Sequence, residues 1–231
     1  YEAFIEGQPI HFDWPQIDEN SPMGLCYTSG TTGHPKGVEY EHRSQYLHTL
    51  TQCMTDSMGL TGTDTVCGIV PMFHAMGWGI PWSALMLGCK QVMPHRFMDP
   101  ARLLDLMVAE KVTLSAGVPT IWQGVKGLYE ANPDAYDLSS LSRLTCGGSS
   151  PPPSLIRWFW DELDVEMIQG WGMTETSPLA TLSRRVMKRS QLALSEDEQF
   201  ENVAKAGLLM PGLELDLSLI HICRSRRIER C

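Results

Sequence analysis

Between Tyr27 and Val38 the chain reads Tyr27-Thr28-Ser29-Gly30-Thr31-Thr32-Gly33-His34-Pro35-Lys36-Gly37-Val38. Glycines let backbone N–H groups turn inward with no Cβ in the way, serine and threonine hydroxyls add donors, and lysine adds a mobile positive charge. Those are the parts that hold a polyphosphate. A plain Gly/Ser/Thr surface turn is the commonplace alternative. Against it stands the density of donors, with no acidic residue in the stretch. A second constellation, Gln169-Gly170-Trp171-Gly172-Met173-Thr174-Glu175-Thr176, puts a hydroxyl beside a carboxylate after a glycine-rich strand end. Glu175 suits a hard cation such as magnesium and Thr174 a phosphate oxygen, although a lone acid here also reads as a helix-start charge. In Pro71-Met72-Phe73-His74-Ala75-Met76-Gly77-Trp78-Gly79 a histidine stands among aromatics and glycines, the materials of an acyl pocket. Cys146-Gly147-Gly148-Ser149-Ser150-Pro151 is a turn into a helix that also leaves room for a ligand.

The elements that must position these loops alternate between short β-type runs and longer amphipathic stretches. Strands are expected over 24–27, 65–70, 91–93, 112–115, 144–146 and 165–169, and helices over 42–58, 78–87, 100–111, 119–131 and 152–163. Asp99-Pro100 is a cap followed by proline at the first helical position. Such alternation predicts a mostly parallel α/β sheet, with ligands at the carboxyl ends of its strands. The loops after Tyr27, Val70, Cys146 and Gln169 would then carry the chemistry.

Bulk properties narrow the partners. The 231 residues are enough for a substantial core, and the net charge of −9 speaks against a nucleic-acid partner. Cys26, Cys53, Cys67, Cys89, Cys146, Cys223 and Cys231 are scattered, odd in number and form no C-x-x-C pair, which favours reduced thiols and a cytoplasmic setting. The opening residues carry no signal-peptide pattern. The longest apolar run, 77–89, is too short to span a bilayer and contains Pro81.

Three familiar readings fail on spacing. A P-loop would need Lys followed by Ser or Thr, whereas Gly37 follows Lys36; no G-x-G-x-x-G kinase loop and no G-x-S-x-G hydrolase elbow is present. The twelve residues from Tyr27 instead resemble the signature loop of the adenylate-forming (AMP-binding) superfamily, which includes acyl-CoA synthetases, firefly luciferase and the adenylation domains of peptide synthetases. The resemblance runs from about 12 to 217. It is nearest to medium-chain fatty acid and methylthiopropionate CoA ligases over 71–80 and 168–178.

This resemblance implies the central part of a large α/β N-terminal domain, mostly parallel sheets flanked by helices. It also implies a two-step reaction on a small carboxylic acid: adenylation by ATP with Mg2+, then transfer to coenzyme A. His74, Lys36 and Glu175 would be catalytic, with Glu175 holding the metal. Thr28, Ser29, Thr31, Thr32 and Lys36 would hold the β- and γ-phosphates and Thr174 the α-phosphate, with Gly30 and Gly33 also binding the nucleotide. Gly147, Gly148, Ser149, Gly170, Trp171, Gly172 and Met173 would border the nucleotide. His74, Trp78, Gly147, Gly170 and Met173 would shape the acid pocket. Amino-acid-activating relatives place an aspartate at the position of His74; no acid occurs between Pro71 and His95, which favours an uncharged acyl chain.

The family's Gly-Asp motif, hinge and small lysine-bearing domain are not found in the sequence, so 1–217 is expected to be a partial adenylation domain that does not turn over alone. Residues 218–231, with four arginines in the last eight positions, read as a non-native tail. Two other readings remain open: an adenylate-forming enzyme with a carrier protein or oxygen as acceptor, and a non-catalytic nucleotide-binding relic.

Overall fold

The structure is a computed structural model, in which residues 2–28 and 33–216 are described. In chain order the elements are α1 (Glu2–Ile5), β1 (Pro22–Thr28), β2 (Lys36–Glu41), α2 (His42–Cys53), β3 (Thr65–Gly68), α3 (Ile80–Leu87), β4 (Lys90–Val92), α4 (Pro100–Glu110), β5 (Leu114–Gly117), α5 (Pro119–Ala131), β6 (Arg143–Cys146), α6 (Pro153–Leu163), β7 (Glu166–Gly172), β8 (Leu179–Ser183), α7 (Glu196–Val203) and β9 (Leu208–Leu209).

Proline and capping side chains set the helix starts. Asp99 accepts from the Arg102 backbone N–H at 3.2 Å with Pro100 next, and α5 begins at Pro119. Helix α2 stops at Cys53, short of the expected 58, because Met54 turns to an extended backbone and its N–H bonds Thr51 O. The expected strand 112–115 slides to Leu114–Gly117 because the Val112 N–H is drawn to Met107 O at the end of α4. Helix α7 went unread although Ser195 and Glu198 form its capping box.

Seven strands form one sheet in the order β4-β3-β5-β6-β7-β8-β9; the first five are parallel, β8 pairs antiparallel with β7, and β9 pairs antiparallel with β8. Side chains alternate across it with period two. Leu144, Cys146 and Met167 join the core under α4, α5, α6 and α7. Val66, Leu114, Ala116 and Ile168 join Ile80, Ala84 and Met58 on the opposite face. Right-handed crossovers explain the split: the step from β3 to β4 runs the other way along the sheet from the later steps, so α3 lies on its own face. Loops leaving β3 and β5 therefore diverge, which opens a crevice at the carboxyl ends of the strands.

One expectation is corrected. β1 is not part of this sheet but pairs with β2 in a separate antiparallel ribbon, Thr28 opposite Lys36. The lysine-bearing loop thus joins two strands of a hairpin rather than a strand and a helix. Val38 and Tyr40 alternate with the polar Glu39 and Glu41, which is a strand pattern.

Candidate functional site

A cavity of about 260 Å3 opens at the carboxyl ends of β6 and β7. His74, Trp78, Gly147, Gly148, Gly170, Trp171, Gly172, Met173 and Thr174 line it, together with Gln52, Met58, Ala75, Ile80, Thr145, Pro178 and Leu179. All five residues expected to shape the acid pocket are in that set. No carboxylate, lysine or arginine is among the lining residues.

Close backbone approach explains the glycines. A Cβ on Gly147 would stand 3.0 Å from Gly170 O and 3.0 Å from the Trp78 ring, so the indole lies directly on the peptide. Trp78 is delivered by an unusual turn: Ala75, Met76, Gly77 and Trp78 all have positive φ, between 46° and 63°. Three of these are not glycine, a conformation that must be held by its surroundings. Gln52 holds it, donating from Nε2 to Trp78 O at 2.7 Å, while Gln52 Oε1 accepts from Ser83 Oγ at 2.5 Å. The floor at Met58 is fixed from below, where Arg143 Nη1 donates to Gly59 O at 2.7 Å and Arg184 Nη1 to Thr55 O at 2.6 Å.

The rim joins the ribbon to the sheet. Tyr40 of β2 is 1% exposed and donates to Thr174 O at 2.7 Å. Burial first, and then the nearby Cys26 and Glu175, hold its phenol above the usual range. Glu175 itself is exposed on a 3-10 turn, Thr174–Thr176, and stands close enough to Tyr40 to be felt there. Lys36, Thr28, Gly33, Ser149 and Glu175 do not line the cavity; Lys36 and Thr28 open the neighbouring hairpin loop. Ser29, Gly30, Thr31 and Thr32 lie outside the described residues. Among the described residues no group of three or more His, Cys, Asp or Glu side chains is placed to cage a metal. A hard cation at Glu175 would rest on one carboxylate plus phosphate oxygens, the mode magnesium favours.

His48 was not foreseen. It is 5% exposed, and its Nε2 accepts from the Leu179 N–H at 3.2 Å, which puts the proton on Nδ1. Burial pushes its pKa down to about 4. The unfolded chain then binds a proton that the native state refuses, so stability is full above the ordinary value of about 6.5 and falls as pH drops toward 4. Urea unfolding near pH 7 and again at about pH 4.5 is expected to differ by about 2–3 kcal/mol from this group, less if the native site relaxes on protonation. His48→Gln should flatten that dependence. An unchanged slope in the variant would assign the pH dependence to other groups.

The AMP-binding enzyme family matches residues 4–218, and the chain belongs to that family. It is 42% identical over 94% of its length to a medium-chain-fatty-acid–CoA ligase of Ectopseudomonas oleovorans, and 42% identical over 86% to a 3-methylmercaptopropionyl-CoA ligase of Ruegeria lacuscaerulensis. It spans 39% and 36% of those two relatives. A solved long-chain-fatty-acid-CoA ligase from Archaeoglobus fulgidus superposes with a TM-score of 0.65 at 26% identity, covering 80% of this chain and 36% of that one. Among the described residues no helix is long and apolar enough to cross a membrane.

Proposed function

We infer that this chain supplies the acid and nucleotide sites of an AMP-forming acyl-CoA ligase working in the cytoplasm. The observation that carries the reading is the cavity: apolar, free of lining carboxylates, and bordered by Thr174, whose carbonyl oxygen accepts from the Tyr40 phenol of the lysine-bearing ribbon. An uncharged acyl chain would enter it with its carboxylate toward His74. ATP would lie over Gly147, Gly148, Ser149 and the strand end Gly170–Met173, its phosphates held by Thr174, Lys36 and the hairpin loop. A magnesium ion at Glu175 would offset the charge of the phosphate oxygens. Alignment and charge neutralisation are what such a transfer needs, since the carboxylate and the phosphates repel one another. Both curated relatives are named as CoA ligases, which supports coenzyme A as the acceptor.

The test is exchange of labelled pyrophosphate into ATP with a panel of straight-chain acids, followed by addition of coenzyme A. Acid-dependent exchange and a CoA thioester are expected from the protein that carries this chain. Exchange with no thioester would leave adenylation standing and remove coenzyme A as acceptor. ATP binding without exchange for any acid sinks the ligase reading.

A further inference from the structure

Helix α2 is polar on the side it buries. Gln45, His48, Thr49 and Gln52 face inward, while Tyr46, Leu47 and Leu50 are exposed. A helix packed for stability alone shows the reverse pattern. Two of the inward side chains reach backbone outside the helix: His48 accepts from the Leu179 N–H, and Gln52 donates to Trp78 O at 2.7 Å. Gln52 is 1% exposed, and its Oε1 accepts from the buried Ser83 Oγ at 2.5 Å, so the amide is engaged at both ends. Met58 and Ile80, which line the cavity with it, are apolar. A methionine has a similar volume, so packing alone does not call for an amide here.

Trp78 ends a left-handed turn over residues 75–78, in which every φ lies between 46° and 63°. Such backbone is strained for residues other than glycine, so Ala75, Met76 and Trp78 would relax out of it without an anchor. The anchor matters to a ligand because the Trp78 indole is a wall of the cavity and lies on Gly147. We propose that Gln52 is a positioning residue that sets the length of acid the cavity accepts. Its N–H holds the Trp78 carbonyl, the held turn keeps the indole on Gly147, and the indole bounds the space open to the acyl chain. Gln52 acts through Trp78, since its own amide is taken by Trp78 O and Ser83. Without the anchor the turn relaxes and the indole lifts from Gly147, which enlarges the space on that side. A short acid then loses wall contacts and a long one gains room. The inference rests on the cavity being the acid's site.

The test is kcat/KM for hexanoate and for decanoate in acid-dependent pyrophosphate exchange by the protein that carries this chain. Gln52→Met keeps the volume and removes both hydrogen bonds. It is expected to raise the decanoate-to-hexanoate ratio about 10-fold, with KM rising for hexanoate and falling for decanoate. Ser83→Ala keeps the donor to Trp78 O and frees only the far end of the amide, so a shift of about threefold is expected. The double variant should match Gln52→Met, because the shorter of the two Ser83 bonds runs to Gln52 and the other, to Gly79 O, is 3.3 Å. A glutamine that only stabilised the fold would lower both acids alike. An unchanged ratio in Gln52→Met therefore overturns the proposal and leaves the ligase reading in place. If Gln52→Met fails to fold, an unchanged ratio in Ser83→Ala overturns it equally. If the parent protein shows no exchange with either acid, the ligase reading falls and the proposal falls with it.

Discussion

Glu175→Gln is expected to lower acid-dependent pyrophosphate exchange by about 10²–10³-fold while leaving acid binding to the cavity unchanged. The substitution keeps the size of the side chain and removes its charge. Glu175 is exposed and contributes to neither core cluster, so the fold should tolerate the change. What is lost is the carboxylate that would hold a hard cation against the phosphate oxygens, and among the described residues no group of three or more His, Cys, Asp or Glu side chains is placed to take its role. Glu175→Asp should recover part of the rate, most visibly at raised magnesium. Exchange within about threefold of the parent for Glu175→Gln would remove the residue from the metal site.

Gly172→Ala should have the largest structural effect of any single methyl group near the site. A Cβ there would stand 2.0 Å from Pro178 O and 3.0 Å from Leu179 Cα, both backbone atoms that cannot swing aside. The same Pro178 O accepts from the Met173 N–H at 3.1 Å, so separating the two chains breaks the turn that presents Met173 and Thr174. A loss of about 3 kcal/mol in urea unfolding is expected, together with loss of acid binding. Gly127→Ala on α5 is the control, since a Cβ there meets nothing within 4 Å; it should be neutral or stabilising by about 0.5–1 kcal/mol. Equal stability of the two variants would show that the β7–β8 turn opens more easily than its packing indicates.

What the sequence made legible is local. Asp99-Pro100 and Pro119 mark helix starts that the structure keeps, and the glycine-rich strand ends point to the cavity because close approach leaves a trace in composition. Tyr40, His48 and Gln52 left no such trace. Tyr40 reaches Thr174 across 134 residues of chain, and His48 reaches Leu179 across 131. Nothing within a window of twenty residues signals either pairing. The ribbon was misassigned because periodicity identifies a strand and not its partner, and β1 with its apolar Leu25 and Cys26 reads the same in a hairpin as in a sheet.

The ribbon gives the molecule two levels of cooperativity. A two-stranded ribbon is marginal by itself, whereas a seven-stranded sheet covered by helices is a unit that opens only as a whole. Among the contacts joining the levels are the Tyr40 phenol on Thr174 O and the Met76 methyl packed where Gly24 has no side chain. The ribbon is therefore expected to open while the sheet stays closed, its strands on a lower rung of local stability. A nucleotide gripped at once by Lys36 and Thr174 would span both rungs and merge them into one folding unit, so that occupancy of the site and order of the ribbon become a single equilibrium.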